Sequence, residues 1–96
     1  MIVDADDFGK IKVPPFNVTI KVIEPFNNKP ISGATVVISG AETVATGKTG
    51  EEGIVILYIK NAILKENIEG EYMSIEVTAQ GHYKYVEEEG ILLVCV

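Results

Sequence analysis

The sequence predicts an all-β domain, a seven-stranded antiparallel β-sandwich. Three observations point to it. Apolar and polar residues alternate with a period of two, most cleanly in EYMSIEVTA, where Met73, Ile75, Val77 and Ala79 oppose Tyr72, Ser74, Glu76 and Thr78. Gly, Pro and Asn interrupt such runs about every 8 to 12 residues, the spacing of antiparallel sandwiches. The apolar residues, 47% of the chain, favour Ile and Val, whose branched Cβ suits a pleated strand.

Residues 1–16 read as an N-terminal arm, because three Asp, Gly9 and the Pro14-Pro15 pair oppose any regular element. Residues 17–96 read as one domain, since a chain of 96 residues cannot divide into two adequate cores. The first strand is NVTIKVIE, with Val18, Ile20 and Val22 on one face. PFNNKP turns the chain, and Gly33 and Gly40 bracket a second strand carrying Ala34, Val36 and Ile38 on one side. A short strand follows at Val44 to Lys48, then the turn TGEEG. GIVILYI is apolar on both faces: Val55, Leu57 and Ile59 suit a core, whereas Ile54, Ile56 and Tyr58 need another cover. Residues 61–69 suit a short helix or a loop, with Ile63, Leu64 and Ile68 loosely on one helical face. After EYMSIEVTA, Gln80-Gly81 turns into HYKYVEEE, and Gly90 separates that strand from ILLVCV.

The net charge is −6, and all eight positive charges are Lys. Without Arg or a basic cluster, nucleic acid is not an expected partner. No apolar run approaches the roughly 20 residues of a membrane span. The acidic start MIVDADDFGK lacks the features of a secretory signal, so the product stays inside the cell or has lost a leader. The lone Cys95, set in ILLVCV, reads as a small buried hydrophobe and allows neither an intramolecular disulfide nor a cysteine-based metal site.

Three pieces between Ile23 and Tyr85 carry a resemblance: KPISGATVVISG, a proline followed by Gly-Ala and apolar alternation; TGKTGEEGIVIL, a threonine, a turn and a glycine leading into the next strand; and IEVTAQGHYKY, a valine-x-alanine-x-glycine turn. In this order they resemble the carboxypeptidase regulatory-like domains, transthyretin-like (prealbumin-like) sandwiches. The resemblance implies a Greek-key, Ig-like topology in which Gly33 and Ala34 allow close packing, Gly53 ends a tight turn and Gly81 takes a backbone shape other residues resist. It also implies an extracytoplasmic or virion-associated setting. Gly50 replaces the family's usual Asp after the turn threonine, and His82 stands between Gly81 and the aromatic Tyr83.

Chemistry finds little to build on. A hydrolase branch of the transthyretin-like fold depends on several His and Arg, whereas this chain has one His and no Arg. An isopeptide bond of the kind known in bacterial surface relatives has candidates in Lys21 and Glu76 but no amide or acid in the expected last strand, Ile91 to Val96. Asp4, Asp6 and Asp7 resemble the start of a calcium loop, yet Phe8 and Pro15 occupy ligand positions, so no metal or other cofactor is expected. Glu87, Glu88 and Glu89 read as a solvated edge that discourages strand pairing. His82 reads as a turn residue. Asn17-Val18-Thr19 matches a glycosylation acceptor but falls inside a strand.

The expected function is therefore a non-catalytic structural or assembly module. Its partner is another protein or a second copy, met through Ile54, Ile56, Tyr58, Leu92, Val94 and Val96. The alternative is an accessory carbohydrate- or peptide-binding module using Phe26, Tyr72, Tyr83 and Tyr85.

Overall fold

The computed structural model describes residues 10–65 and 70–94, which form an all-β structure. Eight strands occur in chain order: β1 (Lys10–Lys12), β2 (Phe16–Lys21), β3 (Thr35–Gly40), β4 (Thr43–Lys48), β5 (Ile54–Ile59), β6 (Ile63–Lys65), β7 (Gly70–Thr78) and β8 (Tyr85–Val94). All pairings are antiparallel. A four-stranded sheet has the order β4-β3-β7-β8, and β2 pairs with β5 while β1 pairs with β6.

The two small ladders are one ribbon. Lys12 lies opposite Ile63 and Phe16 opposite Ile59, so three residues separate the ladders on both strands and the register is unbroken. The bond from Val13 N–H to Ala62 O continues it. Pro14 and Pro15, which have no N–H to donate, interrupt the pairing. Opposite them Asn61 adopts a φ of 63°, and the inward face changes parity there: Leu57 and Ile59 are buried on one side of the break, Ala62 and Leu64 on the other.

This ribbon corrects two expectations. The arm over 1–16 is not without structure, because Lys10–Lys12 is a strand and Phe16 already belongs to β2. Over 61–69, Ile63–Lys65 is a strand instead of a helix or loop, since the β5 ladder carries on in the same register; residues 66–69 lie outside the described residues. At the C-terminal end, the two runs expected on either side of Gly90 are one strand. Between the pairs Met73↔Ile91 and Ile75↔Glu87, three residues of β8, Glu88 to Gly90, oppose the single Ser74 of β7. Gly90 therefore marks a bulge. A Cβ there would meet the Ile75 side chain at 2.6 Å. Two expected runs merge and two short strands are added, which gives eight strands among the described residues where seven were expected.

The ribbon packs across the four-stranded sheet. Ile38, Ile59, Met73 and Val36 are the largest fully buried side chains. On the sheet, Val36 is flanked by Gly47 and Val77, and Ile38 by Ala45 and Ile75. Gly47 has a steric reason: a Cβ on it would meet Leu57 Cδ2 at 2.7 Å and Val55 Cγ2 at 2.9 Å, so its bare backbone admits β5. No helix among the described residues is long and apolar enough to cross a membrane.

Thr49 fastens the lead-in to this core. Its buried hydroxyl donates to Ile31 O at 2.6 Å and accepts from Ala34 N–H at 2.9 Å. Its backbone N–H donates to Ala34 O, and its carbonyl accepts from Gly33 N–H. Gly33, Gly53 and Gly81 have φ of 74°, 73° and 79°. Open space surrounds the first and third, whereas a Cβ on Gly53 would meet Val22 O at 2.6 Å.

Two stability predictions follow from these contacts, both measured by denaturant unfolding. Gly33→Ala and Gly81→Ala are expected to cost about 1–2 kcal/mol each through the left-handed backbone alone, and Gly53→Ala more than either. Thr49→Val is expected to cost about 1–3 kcal/mol by stranding the part-buried Ile31 carbonyl and the buried Ala34 N–H.

Candidate functional site

In an antiparallel ladder, side chains alternate between faces while backbone polar groups alternate between edges. On β5 this sends Val55, Leu57 and Ile59 inward and Ile54, Ile56 and Tyr58 outward, where they are 36%, 63% and 57% exposed. Their β2 partners are Lys21, Thr19 and Asn17, so an apolar strip runs beside a polar one. Asn17, the potential glycosylation acceptor, sits on this outer face.

Leu92 and Val94 occupy a different surface. Leu92 lies opposite Tyr72 and Val94 opposite Gly70 on the outer face of the four-stranded sheet, and all three side chains are about half exposed. Val37 and the hydrogen-bonded pair Ser39 and Ser74 continue that face. The interface candidates are thus divided between the outer faces of two layers, and Val96, like Cys95, lies outside the described residues. So do Asp4, Asp6 and Asp7. Among the described residues, no group of three His, Cys, Asp or Glu is placed to hold a metal ion.

Lys21 and Glu76 are also separated. Lys21 is on the outer face of β2, and Glu76 is on the outer face of β7, where its Oε1 lies 2.5 Å from Lys84 Nζ. The observed last strand does contain acids, Glu87 to Glu89, but they are exposed. His82 is a turn residue: Nδ1 is 3.0 Å from Gln80 O and Nε2 is 3.4 Å from Glu24 Oε1. That second contact joins the loop after β2 to the loop after β7. Tyr83 precedes β8 instead of sharing a strand face with Tyr85, and it is fully exposed; Phe26, in the turn after β2, is 98% exposed.

Sequence reading missed a cleft of about 660 Å³ at one side of the sandwich. Its walls include Ile20, Val22 and Ile23 from β2 and its extension, and Ile75, Val77 and Tyr85 from β7 and β8; the loop residues Pro25, Gly81 and His82 close one end. Ile20, Val22, Ile75 and Val77 read as core from their alternation alone, whereas Ile23 falls on the opposite face of its strand by the same alternation. The missing signal is the number of strands per layer, a property of pairing that no single run expresses.

Edge strands are treated unequally. β4 and β5 meet at a corner, where Thr43 Oγ1 donates to Lys60 O and Ile63 N–H donates to Ala41 O. β8 carries three Glu and a bulge, both of which oppose further pairing. β2 has neither. No family model matches the chain, and no curated protein or solved structure matches it.

If the acidic run guards the β8 edge, replacing Glu87, Glu88 and Glu89 together with Thr should raise self-association. Sedimentation velocity over a concentration series checks this, with an unchanged sedimentation coefficient counting against it.

Proposed function

We propose that this domain is a non-catalytic structural module that assembles with protein partners, second copies of itself included, through exposed apolar β surfaces. One observation carries the reading: the row Ile54, Ile56 and Tyr58, with Ile56 63% exposed in mid-strand. Three large apolar side chains at alternate positions of one strand form a contiguous patch, and such patches mark contact surfaces more often than scattered single residues do. Tyr58 adds an aromatic group with a polar tip, a residue type favoured at interfaces.

The proposal treats the chain as a transthyretin-like module of the carboxypeptidase regulatory-like kind with Greek-key topology. Support comes from the motif residues: Thr49 ties two segments together, and Gly33, Gly53 and Gly81 all have positive φ. Its non-catalytic character is supported by the state of His82, engaged with Glu24 and Gln80 in a loop contact. A second reading, an accessory carbohydrate- or peptide-binding module, is favoured by the full exposure of Phe26 and Tyr83, two aromatic side chains with no core role.

Ile56→Lys separates the outward surface from the core. The substitution should leave the melting temperature within a few degrees while shifting the mass measured by light scattering after size exclusion from oligomer to monomer. A wild type that is monomeric at high concentration rules out self-assembly. Unfolding of Ile56→Lys places Ile56 in the core and removes the basis of the proposal. For the second reading, a glycan array probed with wild type and with Phe26→Ala/Tyr83→Ala should show binding that the double variant loses.

A further inference from the structure

The cleft beside β2 offers two kinds of unfilled valence at once. Val22 N–H donates to Gly53 O and Val22 O accepts from Ile31 N–H, so the polar groups of Val22 point towards the β5 side. By alternation along the strand, the N–H and C=O groups of Thr19, Lys21 and Ile23 point the other way. Among the described residues β2 pairs with β5 alone, and no described strand lies along that edge. The same edge borders the cleft, whose floor is the inward face of β7 and β8 at Ile75, Val77 and Tyr85.

An apolar small molecule would cover the floor and leave the backbone edge unpaired. An extended peptide satisfies both, because its backbone pairs with β2 while alternate side chains enter the cleft. We propose that this edge accepts a β-strand from a partner polypeptide, an extended segment with apolar residues at every second position and an acidic residue between them. The acid follows from Lys21, which stands on the outer face of the edge and makes no ion pair among the described residues. A strand laid beside β2 places its outward side chains next to Lys21 and Thr19, where a carboxylate is complementary. The added strand makes the ribbon three strands wide over the uncovered part of the sheet. This contact lies on the inner face and edge of β2, so it does not depend on the outward strip at Ile56.

The test uses the full chain and two blocked synthetic peptides of one composition, Ser-Val-Glu-Val-Glu-Val-Ser and Ser-Val-Val-Val-Glu-Glu-Ser, followed by amide and methyl NMR. The alternating peptide should bind saturably, with shifts concentrated at the amides of Thr19, Lys21 and Ile23 and the methyl groups of Ile75 and Val77. The block-ordered peptide should bind about tenfold more weakly or not at all. Thr19→Pro deletes an edge N–H and should abolish binding; if that variant does not fold, Lys21→Glu serves instead and should weaken binding about tenfold. Equal binding of both peptides, binding unchanged in a folded Thr19→Pro, or no shifts up to the solubility limit overturns the proposal. A peptide-free dimer that broadens the same amides also overturns it, by making the occupant a second copy. So does an apolar dye that titrates the cleft while the alternating peptide does not.

Discussion

The pairing of Lys10–Lys21 with Ile54–Lys65 in a single register holds the rest of the structure in place. It brings the chain before β2 back against the chain after β5 and lays both over the inner face of the four-stranded sheet. Because a strand's side chains repeat every two residues, a slip of one residue would turn the whole inner face to solvent. The ribbon instead changes its inward parity in one controlled place. Pro14 and Pro15 on one strand and Asn61 at positive φ on the other let Leu57 and Ile59 face the core before the break and Ala62 and Leu64 after it. A two-proline segment that looks hostile to structure is thus the joint between two halves of one ladder.

Width is the second consequence. Strands in a sheet lie about 4.8 Å apart, so two strands cover about half the breadth of four. The ribbon is anchored at one side, where Gly47 admits Val55 and Leu57 and the corner bonds of Thr43 and Ile63 fasten β5 and β6 to β4 and its turn. The uncovered part therefore falls on the opposite side, over the end of β7 and β8 at Ile75, Val77 and Tyr85, whereas Met73 further along β7 is fully buried. There Ile75 and Val77 are half-buried although their alternation suits full burial, and the apolar cleft is the space left between them and β2.

The treatment of edges fits this asymmetry. On β8 the carboxylates of Glu87 to Glu89 and the bulge at Gly90 make a poor template for another strand, whereas β2 keeps an unshifted register and carries one cation, Lys21. Charges and bulges on an edge limit unwanted pairing. In the proposed strand addition, their presence on β8 and absence from β2 direct the added strand to β2. The outward row on β5 is an exposed face and not an edge, so the two proposed surfaces involve different atoms of the ribbon.

Much of the fold is legible in the residues themselves. The alternation in Val18 to Val22, Val36 to Ile38 and Met73 to Val77 identifies strands and their inner faces, because burial of one face imposes a period of two. The outward position of Ile54, Ile56 and Tyr58 is legible for the same reason, whereas the turn at Gly53 and the backbone shape at Gly81 are implied only by the resemblance, and Gly33, expected there to allow close packing, stands in open space at a positive φ. What only the tertiary structure decided is pairing. Short runs such as Lys10–Lys12 and Ile63–Lys65 have too few residues to show a period, and they become strands because the β2–β5 register extends onto them. Gly90 reads as a break because a glycine weakens a strand locally, yet the β7 ladder holds on both sides and makes it a bulge. The cleft belongs wholly to this second level, since its walls alternate like any core and its emptiness comes from two strands facing four.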